Sequence, residues 1–321
     1  MHTFIETFSK YISPENTIIL AVSGGVDSMV LLDLVRKCHP EENIIVAHFD
    51  HSLRGAESDA DSDFVTKFCN SINIRIRTKK MDIGTLAKEK KGSLEAIARH
   101  ERYMFLEEVR KKYHARYILT AHHADDQVET ILLNLLKGGK IQGLSGMSIE
   151  SGYILRPFLT KTKANILHYA ETCHIPYRED STNSDTNFER NKIRHQVTPI
   201  LLEINPSFHR TIEHLAEYMQ DMTAYFDVAS GDWFANAEKN SGKPKTFLIT
   251  EFQGVHPFFQ RELIVELYRH AHHGSNQGLS AKLVEELIRF IADKNSFGVK
   301  DIGKLHLERR GERIVIGFSS I

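Results

Sequence analysis

The sequence predicts an α/β fold in which a parallel sheet carries helices on both faces, followed by a smaller, mostly helical domain. Through the first two-thirds of the 321 residues, apolar segments of strand length alternate with segments of helical periodicity. Repeated β–α units of this kind are typical of a parallel sheet that is covered on both sides. After Asn205-Pro206 the alternation stops and long helical patterns follow. We therefore expect one domain over residues 1–205 and a second over residues 206–321.

Local periodicity predicts each element in turn. The apolar run Thr17–Val22 has the length of a strand, and Val26–Cys38 has apolar residues at helical spacing. The other expected elements of the first domain are strand Asn43–Phe49, helix Glu57–Ser71, strand Ile72–Arg77, helix Ser93–Tyr113, strand Arg116–Ala121, helix Asp125–Leu136, strand Tyr153–Arg156 and helix Thr162–Cys173. Those of the second domain are helices Ser207–Ala229, Gln260–Ala271 and Ser280–Ala292, and a terminal hairpin of Leu305–Arg309 with Arg313–Phe318.

The composition indicates a globular protein of the cytoplasm. No apolar run approaches the ~20 residues that cross a bilayer, and the first residues lack the pattern of a secretory signal. Cys38, Cys69 and Cys173 form no C-x-x-C pair, which favours a reducing compartment and argues against a zinc ribbon. We expect no membrane partner.

The charge balance by itself does not favour a nucleic-acid partner. Lys plus Arg is 41 and Asp plus Glu is 42, for a net charge of −1. Any contact with RNA would come from local basic runs. The runs are Arg75–Lys80, Lys88–Lys91, Arg110–Lys112 and Lys161–Lys163. Each of them alone is more often a solvated surface.

A small polar loop joins the first strand to the first helix. Its residues are Ser23, Gly24, Gly25, Val26, Asp27 and Ser28. The glycines permit a sharp turn and a close approach to a ligand, and the N–H groups of the helix start favour an anion such as phosphate. The serines add hydroxyl donors. The loop matches neither G-x-x-x-x-G-K-[ST] nor G-x-G-x-x-G, and the alternative is an ordinary turn in which Asp27 stabilises the helix start.

Acidic residues follow two further strands at the same expected edge of the sheet. Asp50 ends the second strand, where it could hold Mg²⁺ or a substrate ammonium, or could bond its own backbone in a turn. Asp125 and Asp126 open a helix, and Glu129 lies four residues after Asp125. These oxygens suit Mg²⁺ that bridges ATP phosphates, and the alternative is that they only complement the helix dipole.

Three arginines are further candidates for the site. Arg99 ends the segment Glu-Ala-Ile-Ala-Arg, which alone would suggest a surface ion pair. Arg190 and Arg194 follow a polar loop and lie four residues apart. Like charges at this helical spacing are mildly destabilising, so an anion between them would offset the cost. The alternative is a basic, solvated helix.

Taken together, the motifs are much more specific than any one of them. Ser-Gly-Gly-Val-Asp-Ser, Asp-His-Ser-Leu-Arg, Glu-Ala-Ile-Ala-Arg, Ala-His-His-Ala-Asp-Asp-Gln-Val-Glu-Thr and Asp-Ser-Thr-Asn with Arg-Asn-Lys-Ile-Arg occur in this order. Over Thr17–Arg194 the series resembles the tRNA(Ile)-lysidine synthetases, a family of PP-loop ATP pyrophosphatases. The second domain matches only in position and helical character. Longer family members carry a further carboxyl-terminal domain, so we expect a short or truncated form.

The resemblance implies an adenine-nucleotide-binding PP-loop domain and a helical domain that binds tRNA. ATP and Mg²⁺ would activate the C2 carbonyl oxygen of the wobble cytidine in an isoleucine tRNA with a CAU anticodon. The ε-amine of free L-lysine would then displace AMP and leave lysidine. A homodimer is compatible with this prediction.

The resemblance also implies roles for the site residues. ATP would bind the loop Ser23–Ser28. The catalytic residues would be Asp50, Arg99, Asp126 and Glu129, with Asp50 and Asp126 also as metal ligands. The contacts to substrate or tRNA would be His51, Arg54, Asp180, Asn183, Arg190 and Arg194. Metal, lysine and base duties are not divided among the acids at this point.

Three alternatives remain open. A tRNA thiolase shares the Gly-Gly loop but normally needs cysteines for sulfur or an iron–sulfur cluster, and no cysteines are paired here. A synthetase that acts on a small metabolite also carries Ser-Gly-Gly-x-Asp-Ser but has no need of the Asp-His-Ser-Leu-Arg and Asp-Ser-Thr-Asn segments. A non-catalytic nucleotide-binding protein would lack pyrophosphate exchange into ATP.

Overall fold

In the computed structural model the chain forms two compact units, Met1–Met219 and Gln220–Ile321. The structure describes residues 2–52, 56–90, 93–178, 189–243, 245–272, 274, 278–293 and 297–318. The sequence pattern changes at Asn205, whereas the boundary between the units falls inside a long helix. No helix in these ranges combines the length and the apolar character that a membrane crossing needs.

The first unit alternates strands and helices, as expected. Its helices are α1 (His2–Tyr11), α2 (Val26–Arg36), α3 (Ala56–Ser71), α4 (Ile83–Lys90), α5 (Leu94–Lys112), α6 (Ala124–Leu136), α7 (Ile141–Leu144), α8 (Lys163–Thr172), α9 (Glu189–Lys192), α10 (Thr198–Ile204) and the start of α11 (Phe208–Ser241). Its strands are β1 (Ile18–Ala21), β2 (Ile44–Asp50), β3 (Arg75–Lys80), β4 (Tyr117–Leu119), β5 (Glu150–Ser151) and β6 (Ile154–Leu155).

The described strands of this unit form a six-stranded sheet in the order β3-β2-β1-β4-β6-β5. All neighbouring pairs are parallel except β5 with β6. The chain adds β2 and β3 on one side of β1 and then β4 on the other. The strand order therefore reverses beside β1, which is where ligands bind in open α/β sheets.

Alternate residues of β1 point into two different cores. Ile18 and Leu20 pack with apolar residues of α1, α2, α3 and α8. Ile19 packs on the opposite face with residues of α4 and α5. Because successive strand residues point to opposite faces, the unbroken apolar run of β1 requires cover on both sides. The prediction of a parallel sheet with helices on both faces is confirmed.

The third strand lies later in the chain than the sequence pattern indicated. We expected Ile72–Arg77, and the structure has Arg75–Lys80. Asn73 adopts a left-handed φ of 55° after α3 ends at Ser71, so the chain turns before it extends. The pattern placed the strand at its apolar residues, whereas this edge strand is mainly basic and exposed.

The second unit contains more sheet than expected. Besides the end of α11, it has helices α12 (Ile249–Gly254), α13 (Pro257–Ala271) and α14 (Ala281–Ala292). Among its described residues, β7 (Thr246–Leu248), β8 (Gly298–Ile302), β9 (Leu305–Arg310) and β10 (Arg313–Phe318) form an antiparallel sheet in the order β7-β10-β9-β8. The expected hairpin is β9–β10, and β7 and β8, which have little apolar alternation, extend it on both sides.

Candidate active site

The loop after β1 is shaped by one glycine and one buried hydroxyl. Gly24 has a φ of +97°, which L side chains rarely adopt, and a Cβ there would lie 3.1 Å from Val65 Cγ2. The Ser28 hydroxyl donates to the carbonyl of Gly25 (2.9 Å) and accepts from the N–H groups of Ser23 and Gly24 (3.2 and 3.3 Å). Ser28 therefore organises the loop, whereas the sequence had suggested a free donor. Val26 begins α2 and is buried in the core.

The loops after β1, β2 and β4 surround a cavity of about 440 Å³. It lies at the strand ends, as the parallel topology predicts. Polar side chains from several helices, strands and loops of the first unit line it. They are Ser23, Asp27, Ser28, His48, Asp50, His51, Ser58, Asp61, Arg102, Thr120, His122, Asp126 and Arg178. The glycines Gly24 and Gly25 complete the wall, so ligand and loop backbone can come into direct contact.

Asp50 uses its two carboxylate oxygens differently. Oδ1 accepts the N–H of Ser52 at 2.7 Å, which is the turn interaction offered as one alternative. Oδ2 is buried in the cavity wall and has no hydrogen-bond partner among the residues that the structure describes. A buried carboxylate oxygen without a partner is costly unless a cation or donor binds it. Asp50 thus serves the turn and also leaves one oxygen for a ligand.

The two aspartates that open α6 point in different directions. Asp126 lines the cavity, and its Oδ2 accepts the backbone N–H of His123 at 3.0 Å in a capping box. Asp125 accepts the backbone N–H of Lys163 at 2.7 Å, and its Oδ1 lies 3.1 Å from His209 Nε2. Burial opposes ionisation of Asp125, but its contacts with His123 and His209 hold its pKa below the usual range. Of this pair, only Asp126 reaches the cavity.

His123 lies between three carboxylates. Its Nε2 is 3.8 Å from Asp27 Oδ2 and 3.5 Å from Asp126 Oδ2, and its Nδ1 is 3.5 Å from Asp125 Oδ2. Burial alone would lower the pKa of His123, but these aspartates outweigh it and raise the pKa. Asp27 also receives the Lys163 ammonium at 2.6 and 2.8 Å. His123 and Lys163 therefore link the start of α2 to the start of α6.

Glu129 is enclosed by arginines and does not line the cavity. Its side chain is only 1% exposed. Arg190 Nε donates to Oε2 at 2.6 Å, and Arg194 donates to both oxygens at 2.5 and 3.0 Å. The anion that we expected between the two arginines is therefore the carboxylate of Glu129. Both carboxylate oxygens of Glu129 thus accept from these arginines, and the contacts indicate that Glu129 positions them. Its metal, lysine or base role stays a prediction.

Comparison with known proteins identifies this arrangement. A family model for a PP-loop domain matches residues 1–201. The tRNA(Ile)-lysidine synthase of Bacillus subtilis (strain 168) is 41% identical over 221 residues, covering 67% of this chain and 47% of the relative. That of Bacillus thuringiensis subsp. konkukian is 32% identical over 98% of this chain and 70% of the relative. The chain belongs to the tRNA(Ile)-lysidine synthase family.

The solved structures confirm the fold of this family member. The U34-tRNA thiolase NcsA from Methanococcus maripaludis, solved with its [4Fe-4S] cluster, has a TM-score of 0.55 and 16% identity. The match covers 68% of this chain and 78% of the thiolase. At this identity the likeness concerns only the PP-loop fold. The chain also spans about half the length of several curated relatives that it matches.

Arg102 is the arginine of α5 that reaches the cavity of this lysidine synthase family member. Arg99, the predicted catalytic arginine, is exposed and lies over the ring of Tyr103, with 5.0 Å from Cζ to the ring centroid. Arg102 lines the cavity, and its buried Nε has no hydrogen-bond partner. Burial lowers the pKa of His122 to about 3; Asp126 acts in the opposite direction, and Arg102, Arg156 and Arg99 lower the pKa further. Arg102 thus adds a positive charge to this side of the cavity.

The other predicted residues have mixed outcomes. His51 lines the cavity beside Asp50 and makes an edge contact with the ring of Phe49. Arg54, Asp180 and Asn183 lie outside the described residues. Sequence reasoning missed Arg102 and Lys163, since the first differs from a surface arginine only by its helical position and the second was part of a basic run. The pair of Asp61 with Arg178 gave no local signal either.

The donors suit Mg²⁺ held jointly with phosphates. The described residues contain no group of three metal-ligating side chains. Magnesium in nucleotide sites is usually bound by one or two carboxylates together with phosphate oxygens and water. Asp50 presents its Oδ2 to the cavity, and Asp126 also lines it, with Oδ2 capping α6 and Oδ1 at a long 3.5 Å from Arg190 and Arg194. These two carboxylates could hold the ion.

We predict that Glu129→Gln destabilises the protein by about 3 kcal/mol, toward the lower end for removal of one partner from a buried ion pair. The loss leaves Arg190 and Arg194 close together without their carboxylate. Urea unfolding measures the change. The matched control is Glu189→Gln, because Glu189 pairs with Lys137 at 2.8 Å but is 71% exposed; it should cost less than about 1 kcal/mol. Equal losses of unfolding free energy in the two variants would contradict the view that Glu129 holds the two arginines in place.

Proposed function

We propose that this chain ligates free L-lysine to C2 of the wobble cytidine of an isoleucine tRNA with a CAU anticodon, through an adenylylated cytidine. The observation that supports it most is the convergence of the Gly-Gly loop, Asp50 and Asp126 on one cavity at the strand-order reversal. Membership of the lysidine synthase family supports the substrate assignment.

The loop of residues 23–28 would bind ATP. The N–H groups at the start of α2 would favour the phosphates, and the lack of a Cβ at Gly24 and Gly25 would let them approach the loop. Lys163 places an ammonium against Asp27, which lines the cavity. The positive side of the cavity, with the unpartnered Nε of Arg102, suits a second anionic group of the substrates.

Asp50 and Asp126 would hold Mg²⁺, which supplies charge stabilisation to the phosphates when it is bound. The cytidine O2 attacks the α-phosphorus of ATP, and pyrophosphate leaves. The lysine ε-amine then attacks C2, the C2–O bond breaks, and AMP leaves with the oxygen. Because the reference pKa of this amine is about 10.4, an acceptor must take a proton before attack. Asp126 is the acid of α6 that lines the cavity, so we propose that it also accepts this proton.

The cytidine must leave its base stack to present C2 to the cavity. Enzymes that modify a base within a structured nucleic acid extrude it into the active-site pocket. His51 and His122 both line the cavity at the strand ends. We therefore expect the anticodon loop to meet this edge of the sheet.

The thiolase alternative loses support from the cysteines. Burial raises the pKa of both Cys38 and Cys69 to about 11, so neither thiol ionises readily at neutral pH. Neither these two nor the exposed Cys173 line the cavity. No pair of thiols is available there to carry sulfur or a cluster.

The direct test is incubation with ATP, radiolabelled lysine and bulk tRNA. Label should remain on tRNA after an alkaline wash that strips aminoacyl esters, because lysidine holds lysine through a carbon–nitrogen bond. AMP and pyrophosphate should form in equal amounts with the product. If tRNA carries no alkali-stable label while ATP is still consumed, a different PP-loop reaction is indicated.

We predict that Gly25→Val abolishes ATP binding without unfolding the protein. Gly25 has an ordinary φ of −74°, and a Cβ there would meet only Ser23 Oγ at 3.6 Å, so its added bulk faces the ligand. Calorimetry should show loss of ATP binding with an unchanged circular dichroism spectrum. By contrast, Gly24→Ala should lower the free energy of unfolding by about 1–3 kcal/mol through its left-handed φ. Normal ATP affinity in Gly25→Val would refute the phosphate-loop assignment.

We predict that Asp126→Asn lowers turnover by at least about a hundredfold, the usual scale for an acid–base group. If Asp126 mainly holds Mg²⁺, pyrophosphate release with tRNA present fails. If it mainly handles lysine, pyrophosphate release survives and lysine incorporation stops. The control is Asp33→Asn, since Asp33 pairs with Lys37 and Tyr169 away from the cavity. Wild-type rates of both half-reactions in Asp126→Asn would reduce this residue to a helix cap.

A further inference from the structure

The edge strand β3 carries cations where its neighbour carries core residues. Parallel register places Arg75, Arg77 and Lys79 beside three β2 residues that belong to the core under α5. In a sheet covered on both faces this row would ordinarily be apolar. Here the row faces α5 at the rim of the unit, and both arginines are exposed.

Tyr113 forms an aromatic platform under the two arginines. The Cζ atoms of Arg75 and Arg77 lie 5.5 and 5.3 Å from its ring centroid, and its hydroxyl is buried without a hydrogen-bond partner. Stacking on an aromatic face orients a guanidinium while its N–H edge stays available. Arg77 donates one N–H to the carbonyl of Ile76, which leaves its other donors for an external ligand.

The two arginines lack the acidic partners that nearby cations have. Lys79 lies 3.5 Å from Glu108, and Arg110 donates to Glu107 at 2.6 Å. In the part of the chain that the structure describes, no carboxylate lies within ion-pair distance of Arg75 or Arg77. Two guanidinium groups on one face of a strand repel each other, and an anion bound by both would offset that repulsion.

The cationic row leads to the active-site cavity. Lys79 pairs in register with Phe49 and Lys80 with Asp50, and both β2 residues line the cavity. Side chains two apart on a strand are separated by roughly 6.5 Å, a distance comparable to that between successive phosphates of a nucleic-acid strand. A strand of RNA with one base in the cavity could thus continue along β3.

We propose that Arg75, Arg77 and Tyr113, the β3 track, bind the phosphate backbone of the RNA substrate next to the nucleotide that enters the cavity. The proposal rests on the proposed function for its choice of RNA. The competing explanation is that the charges only protect an edge strand from pairing with another chain. Charges of either sign would serve that purpose, whereas RNA needs positive ones.

The test is Arg75→Glu with Arg77→Glu in the full chain, assayed for binding to unmodified tRNA(Ile) by fluorescence anisotropy across a salt series. Affinity should fall by at least about tenfold near 0.1 M salt. Each phosphate contact contributes roughly 0.7–0.9 to the slope of log affinity against log salt, so the loss of two contacts should make the slope shallower by about 1.4–1.8. Arg75→Lys with Arg77→Lys keeps the charges and should retain most of the slope. ATP binding by calorimetry should be unchanged in both.

The matched control is Lys10→Glu with Lys67→Glu, which makes the same change in charge on α1 and α3, the helices of the opposite sheet face. It should leave the slope near the wild-type value. If the track variant binds tRNA as the control does, the proposal is wrong. If sedimentation shows that the track variant changes from a dimer to a monomer while tRNA affinity holds, β3 instead pairs with a second copy and the proposal is also wrong.

Failure of the track and failure of the proposed function give different results. If wild type forms lysidine and the track variant keeps its KM for tRNA, the function stands and the track fails. The opposite result is that the salt dependence of tRNA binding is weaker in the track variant than in wild type, while wild type incorporates no lysine. In that case the track stands and the function fails. Should the glutamate variant prove unstable by thermal melting, Arg75→Gln with Arg77→Gln removes the charge without adding repulsion and is read in the same way.

Discussion

Parallel hydrogen bonding of β1 to both β2 and β4 is the constraint on which the active site depends. Parallel strands end at the same edge, so the loops that follow Ala21, Asp50 and Leu119 open toward one another. These three loops lie far apart in the sequence and belong to different β–α units. Because both faces of β1 are buried by helices, the register of the central strands is strongly determined, and with it the positions of the loops.

The charged groups around the cavity divide into a supporting layer and a set that lines the cavity wall. His123 and Lys163 contact Asp27, His123 also lies beside Asp125, and Arg190 and Arg194 pair with Glu129. Such enclosed carboxylates fix neighbouring elements but have few lone pairs left for a ligand. Asp50 Oδ2 and the Arg102 Nε are buried without partners at the cavity wall. Unsatisfied groups of this kind destabilise the free protein and favour a bound ligand of complementary charge.

The cations of the first unit likewise serve more than one purpose. Lys163 came from a basic run in the sequence, yet its ammonium donates to Asp27, a residue that lines the cavity. Arg110 and Lys80 have carboxylate partners on the surface. Arg75 and Arg77 differ because an aromatic ring supports them, and among the described residues no acid pairs with them. The near-zero net charge of the chain therefore coexists with a local positive surface, and the average says little about a nucleic-acid partner.

The sequence by itself determined the fold of the first unit and the family. Continuous apolar runs, a Gly-Gly loop and acids at strand ends are local patterns, and a parallel sheet is what buries such runs on both faces. Only the tertiary structure decided the partners of Glu129, because Arg190 and Arg194 lie more than sixty residues away. The spacing of the two arginines indicates that an anion binds between them, but it does not identify that anion. The same holds for Arg102 and Arg99 on α5, where the helix rotation against the sheet decides which guanidinium enters the cavity. Sequence patterns report the periodicity of one element, whereas the chemistry of a buried charge depends on what the rest of the fold places beside it.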